Sequence, residues 1–388
     1  MKDATKLIHL GRPDPDFEGA VNHPVYRAST ILSKDIKSYL DRHEGEKRYT
    51  DVTYGARGTQ NARALAEAVC TLEGGAGTSI TASGLSAVTM GISAFVAAGD
   101  HILMADSVYG PARNFCDVTM ARYGISTTYY DPEIGAGIAD LIQDNTRLIY
   151  TEAPGSLTFE MQDIPAIAAA GKARDVLVAM DNTWATPLYF RPIELGVDIS
   201  IQAGTKYFGG HSDVIIGMVT CATEELHRRM VDHRGTFGDV CGPDDCFMAL
   251  RGLRSLHVRL PQQFENALKV ARFLSNHDQV ARVLFPPLES DPGHALWARD
   301  MRGGASLFGL ILKTQDLDAT ARFVDGLDLF KIGSSWGGYE SLMVMNRGSG
   351  LTRSVRPWTE SEYVLRAHIG LEDPDDLIAD LDAGLKRI

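Results

Sequence analysis

Residues 176–213 read VLVAMDNTWATPLYFRPIELGVDISIQAGTKYFGGHSD. They hold two short runs rich in Ile, Val and Leu, one closed by Asp181 and the other followed by Lys206. Apolar runs of this length, bounded by polar and glycine-rich turns, fit strands buried on both faces. Further out in both directions, HILMADS (101–107), TRLIYTEA (146–153) and VIIGMVTCA (214–222) have the same texture. Helical stretches such as ARNFCDVTMARYG (112–124) and DIPAIAAAGKAR (163–174) lie between several of them. Alternating strand and helix predicts an α/β architecture, a mostly parallel sheet with helices on both sides. Ligands of such sheets bind outside the carboxyl ends of the strands, which is where Asp181 and Lys206 fall.

The flanks divide the chain into three parts. Residues 1–59 are rich in Gly, Pro, Arg and Tyr with weak periodicity, and read as an extended N-terminal arm with short helices. Residues 60–252 form the sheet domain. It opens with NARALAEAVCTLEGG (61–75), a helix closed by two glycines, and continues with the strand TSITAS (78–83) and the helix GLSAVTMGISAFVAA (84–98). Residues 253–388 start within a long helical run (251–277, with one proline). A smaller α/β unit follows, built from ASLFGLILK (305–313), DATARFVDGL (318–327) and DDLIADLDAGLKRI (375–388).

Composition excludes several classes of function. The 388 residues are 44% hydrophobic and 23% charged, which is ordinary globular usage rather than that of a disordered chain. A net charge of −12, from 38 basic and 50 acidic residues, disfavours nucleic acid and anionic membrane surfaces as partners. The first residues, MKDATKLIHLGRPDP, lack the apolar core of a signal peptide. The most apolar stretch, 87–99, falls short of the roughly 20 residues of a membrane span. Cys70, Cys116, Cys221, Cys241 and Cys246 are few, odd in number and scattered, so a disulfide framework is not expected and a reducing cytoplasm fits best. No second cysteine pair or spaced histidine pair accompanies Cys241 and Cys246, so no metal site is expected. P-loop and HExxH motifs are absent, and the EGGAG at 73–77 follows a helix rather than a strand, the wrong context for a dinucleotide fingerprint.

The candidate chemistry therefore rests on strand ends. A lysine at the mouth of an apolar sheet loses hydration, which lowers its pKa and frees a nucleophilic amine. A carboxylate at the neighbouring strand end needs a cationic partner or several hydrogen bonds. Together Lys206 and Asp181 suggest a pyridoxal phosphate site; a structural Lys–Asp ion pair at the sheet edge is the alternative. The turn at Ser83, Gly84 and Leu85 could hold a phosphate on backbone N–H groups and the helix dipole, or be plain helix capping. His211 reads as a hydrogen-bonded structural histidine, Cys116 as packed in a helix, and Trp184 as core or pocket wall.

The motifs TLEGGAG (71–77), SGLSAV (83–88), DSVYGP (106–111), DNTWATP (181–187), SIQAGTKYFGGHSD (200–213), SSWGGYESL (334–342) and RAHIGLEDPDDLIADL (366–381) stand in one order. In this the chain resembles the Cys/Met-metabolism family of pyridoxal-phosphate-dependent enzymes, from about His9 to the C-terminus. The resemblance implies the fold-type I architecture, with a seven-stranded sheet domain and a smaller C-terminal domain. It also implies pyridoxal 5'-phosphate as cofactor, linked to Lys206, with Asp181 on the pyridinium nitrogen and Tyr109 stacked on the ring. Gly84, Leu85 and Thr205 would take the phosphate, Arg366 the substrate carboxylate, and Ser335 and Trp336 the pocket wall. Tyr54 and a nearby arginine would reach the site of a neighbouring subunit, which implies self-association as a dimer of dimers.

The family pattern Tyr-x-Arg here reads Tyr54-Gly55-Ala56-Arg57, one residue longer. Arg57 either recovers the phosphate contact, or cofactor affinity or substrate preference has changed. The serine before tryptophan in SSWGGYESL points to the branch that cleaves at the β carbon. The activity implied is carbon–sulfur β-lysis of L-cystathionine or a similar amino acid to homocysteine, pyruvate and ammonia. The alternatives are another carbon–sulfur lyase or a γ-carbon enzyme (methionine γ-lyase, cystathionine γ-synthase), or a non-catalytic cofactor-binding regulator.

Overall fold

The computed structural model describes residues 1–16 and 19–388. Seven strands make the large sheet: β1 (Gly77–Thr81), β2 (His101–Ala105), β3 (Ser126–Tyr130), β4 (Thr146–Glu152), β5 (Leu177–Asp181), β6 (Ile199–Gln202) and β7 (Gly217–Cys221). Their spatial order is β1-β7-β6-β5-β4-β2-β3. Only β7 runs antiparallel to its neighbours; the other pairings are parallel. The mostly parallel sheet read from the apolar runs is thus present.

β3 was not among those runs. Its sequence, STTYY, holds no Ile, Val or Leu, because it is an edge strand that, unlike the other edge β1, is mostly half-buried rather than covered on both faces. The helix Gln60–Glu73 ends at Gly74 with φ of 74°, the left-handed cap that its two glycines signalled.

Four more strands, β8 (Val280–Leu284), β9 (Leu307–Leu312), β10 (Leu342–Arg347) and β11 (Tyr363–His368), form an antiparallel sheet in the order β10-β11-β9-β8. The helical run around residue 251 is two helices, Pro243–Leu253 and Leu256–Ser275, the second containing Pro261. The second helix ties the two sheets together. Buried Arg259 donates from Nη2 to the carbonyls of Tyr207 (2.9 Å) and Gly252 (2.8 Å). Gln263 donates to the Gly338 carbonyl at 2.6 Å, and Asn266 to those of Gly370 and Glu372. Trp184 adds an apolar tie: its ring packs edge-on to Phe285 at 6.4 Å and its N–H donates to the Leu307 carbonyl.

The N-terminal part is divided in its behaviour. The helix Asp3–His9 buries Leu7, and Arg254 donates to the carbonyls of Leu7 and Leu10. The helices Ile36–His43 and Lys47–Thr50 bury no residue. Leu32, Ile36, Tyr39 and Leu40 are exposed there. Among the described residues no helix is long and apolar enough to cross a membrane.

Candidate active site

The carboxyl ends of β4, β5 and β6 bring the chemistry together. Glu152 and Asp181 are register partners at the last position of β4 and β5. Asp181 Oδ1 accepts from Thr183 N (3.0 Å) and Thr183 Oγ1 (2.6 Å), and that hydroxyl accepts from Ala203 N at 2.8 Å. Thr183 thus fastens the Asp181 carboxylate to the turn that carries Lys206. Both bonds land on one oxygen, and among the described residues Oδ2 accepts no hydrogen bond. Burial raises the Asp181 carboxyl above its usual range, opposed by the Thr183 hydrogen bonds and the Lys206 charge.

Lys206 Nζ donates to Ser335 Oγ at 2.5 Å and lies 5.3 Å from the centre of the Trp336 ring. Desolvation and the neighbouring Arg366 charge lower its amine to about 8, while Asp181 pulls the other way. Arg366 Nη2 donates to the Ser335 carbonyl at 3.0 Å. Ser335 itself has φ of 88°, unusual for a residue with a side chain. Loop 335–336 is therefore held through both its hydroxyl and its carbonyl. Tyr109 is 43% exposed, with a backbone N–H that donates to Glu152 Oε2 at 2.7 Å. Burial and the charges of Asp181 and Glu152 raise its phenol.

The helix Gly84–Ser93 starts beside this cluster, with Ser83 Oγ accepting from Ser86 N. A Cβ on Gly84 would sit 2.5 Å from that of Ala203, so glycine lets the helix start press against the Lys206 turn. The first-turn N–H groups of Gly84 and Leu85 have no acceptor within a helix. Asp239 Oδ1 occupies other donors of this turn, Ala82 N and Ser86 Oγ.

Not every residue picked out in the sequence joins in this way. Thr205 Oγ1 is engaged with the backbone of Ile216, donating to its carbonyl (3.2 Å) and accepting from its N–H (3.0 Å). Tyr54 and Arg57 make no hydrogen bond to the cluster among the described residues. Arg57 leans over Gly235, where a Cβ would collide with its guanidinium, and helps line a cavity of about 410 Å³ that also touches Arg63, His227 and Arg234. His211 donates from Nδ1 to the Gly209 carbonyl at 2.7 Å, a local structural bond. Trp184 and Cys116 are buried.

Two participants escaped the sequence reading. Glu152 ends an apolar run in the same way as Asp181 and was open to the same argument. His368, at the end of β11, gave no such signal, because its hydrogen-bond partners, Gly337 and Glu340, lie about thirty residues earlier in the chain.

An amine of lowered pKa, a carboxylate with one open oxygen and a helix start at the adjoining turn suit a group that has an aldehyde, a basic ring nitrogen and a phosphate. The fold and cleft thus define a pyridoxal-phosphate enzyme on a doubly wound sheet. The chain belongs to the Cys/Met metabolism PLP-dependent enzymes, whose family model matches residues 4–386. A protein of Rhizobium johnstonii is 47% identical over 385 residues, covering 98% of this chain and 95% of its own. Cystathionine beta-lyase MetC of Escherichia coli is 41% identical, covering 99% of this chain and 98% of its own. Among solved structures, cystathionine gamma synthase from Xanthomonas oryzae superposes with a TM-score of 0.91 at 31% identity, over all of this chain and 98% of that one.

Proposed function

We propose that this protein is a carbon–sulfur β-lyase that cleaves L-cystathionine, with water, to homocysteine, pyruvate and ammonia. The observation that carries the reading is Lys206, an amine lowered to about 8 and held by Ser335 beside Asp181 and Arg366. Lys206, Asp181, Tyr109 and the helix start at Gly84 and Leu85 would hold pyridoxal phosphate, with Thr205 lining the turn. When bound, that group supplies an electron sink for charge developing at the substrate Cα.

The chain's own residues supply the rest. Arg366 pairs with the substrate carboxylate through its planar fork. The Lys206 amine, once neutral, takes the Cα proton and delivers a proton to the departing sulfur. The Asp181 carboxylate favours a protonated ring nitrogen beside it. Trp336 and Ser335 wall the pocket.

The relatives of 41–47% identity support β- over γ-cleavage. The expected result is pyruvate from cystathionine and cystine, lost in Lys206→Ala, and none from methionine or homoserine esters. Production of 2-oxobutyrate from methionine as the main activity would replace this reading with a γ-carbon enzyme.

Self-association completes the proposal. The uncovered apolar side chains of the helix Ile36–His43, and the absence among the described residues of a hydrogen bond from Tyr54 or Arg57 to their own site, suit an arm that lies on a second copy. A catalytically competent monomer in light scattering would exclude this. The five cysteines are free thiols, four of them buried, which suits a reducing cytoplasm.

A further inference from the structure

His368 lies at the end of β11, two residues beyond Arg366, so strand alternation puts both on one face. It is 1% exposed. Its two ring nitrogens have different partners: Nδ1 is 3.0 Å from the Glu340 carbonyl, and Nε2 is 2.9 Å from the Gly337 backbone N–H. A carbonyl can only accept and an N–H can only donate. The ring is therefore the neutral tautomer with its proton on Nδ1 and a lone pair on Nε2. Burial agrees with this, lowering the imidazole to about 3, with the Arg366 and Lys206 charges adding to the effect and the Glu340 hydrogen bond opposing it.

What the lone pair holds is unusual backbone. Ser335 and Gly337 both have positive φ, 88° and 87°. The loop passes so near the Lys206 turn that a Cβ on Gly337 would sit 2.9 Å from Lys206 Cα. Arg366 holds the start of this turn through the Ser335 carbonyl, and His368 holds its end through Gly337 N. Between these two anchors the Ser335 hydroxyl meets Lys206 Nζ. A non-glycine residue at positive φ persists when its surroundings over-determine it.

We propose that His368 is a positioning residue for the lyase reaction: by accepting the Gly337 N–H it pins turn 335–337, and so sets the Ser335 hydroxyl on the Lys206 amine. The proposal rests on the β-lyase reading for its kinetic readout and is independent of it for its structural ones.

Two amide variants separate the ring's two bonds in the purified holoenzyme. In His368→Asn the amide overlays Nδ1 and reaches Glu340, with nothing left for Gly337. In His368→Gln the amide oxygen reaches the former place of Nε2. Hydrogen exchange of the Gly337 amide should accelerate in the Asn variant and stay slow in the Gln variant. kcat with cystathionine should fall about tenfold in His368→Asn, the worth of about one hydrogen bond, with KM moving less than about threefold. His368→Gln should restore most of it. Adding Ser335→Ala to His368→Asn should cost nothing beyond the worse single variant, since both act on one contact.

Unchanged Gly337 exchange in His368→Asn, an equal kcat loss in both amide variants, or multiplied losses in the double variant would each overturn the proposal. Should His368→Asn not fold, nitrogen NMR of histidine-labelled wild-type enzyme decides: a proton on Nε2 overturns it, and a proton on Nδ1 supports it. If pyruvate is not the product, the exchange and tautomer results still stand or fall alone.

Discussion

Glu152 and Asp181 are two carboxyl groups side by side at the end of adjacent parallel strands. Burial raises Glu152 well above the usual carboxylate range, and the Asp181 charge adds to it, while the Tyr109 N–H opposes. Two adjacent carboxylates do not both ionise readily at a shared site. Asp181 has two Thr183 donors and the Lys206 charge in its favour, against one backbone donor and the Arg353 charge for Glu152, and Glu152 is the more strongly raised, so the proton belongs on Glu152. What Glu152 contributes is then an acceptor for Tyr109 N, not a charge. Glu152→Gln keeps that acceptor and should leave kcat/KM within about twofold, whereas Glu152→Ala strands the N–H and should cost about 1–3 kcal/mol of transition-state stabilisation. Steady-state kinetics of both variants checks this; a crippled Gln variant would mean that the charge is required.

At the scale of elements, the small sheet is moored to the large one by Asp106, just past β2. Its carboxylate pairs with buried Arg113 and accepts the backbone N–H groups of Ser354 (2.8 Å), Val355 (2.9 Å) and Arg356 (3.2 Å). Burial pushes its pKa up, but these donors and the Arg113 charge outweigh that and hold it below the usual range. Segment 354–356 leads into β11, which carries Arg366 and His368. In Asp106→Asn the amide nitrogen faces backbone donors and Arg113 loses its buried counter-charge. Breaking such a pair costs about 3–5 kcal/mol. Urea unfolding should show that loss, with a fall in kcat. Wild-type stability in this variant would remove Asp106 as the mooring.

Over the whole molecule, Glu73 links stability to pH. It is 0% exposed where the helix Gln60–Glu73 meets β6, with Oε1 accepting from Gln202 at 2.8 Å. Burial pushes it up to about 7, opposed by Gln202 and Ser200. The folded state therefore binds this proton more tightly than the unfolded state. Its stabilising effect is full below the unfolded value of 4.5 and is lost as pH rises through about 7. Glu73→Gln keeps the acceptor without the charge, and should raise stability relative to wild type by up to about 3 kcal/mol at pH 8, with the difference vanishing near pH 4. Unfolding curves of both proteins across that range test it; a pH-independent difference would exclude Glu73 as the linked group.

Much of this protein was legible in the chain alone. Buried strands must be apolar on both faces, so β2, β4, β5, β6 and β7 announce themselves as short Ile/Val/Leu runs. Polar residues directly beyond such runs then mark the cleft, which is how Asp181 and Lys206 emerge. The edge strand β3 stayed hidden because half-exposure relaxes the apolar pattern. Composition and periodicity did not say which loop meets the lysine; the family resemblance implied Ser335, Trp336 and Arg366, and the tertiary structure supplies the contacts of Ser335 with Lys206 and Arg366. Ser335, Arg366 and His368 lie 129 to 162 residues from Lys206, brought there by pairing between β9, β10 and β11 and by the helix Leu256–Ser275. No local periodicity encodes a contact of that separation, since it arises only when two independently formed sheets pack against each other. The tautomer of His368 and the protonation of Glu152 have the same origin: each is set by neighbours that the fold supplies.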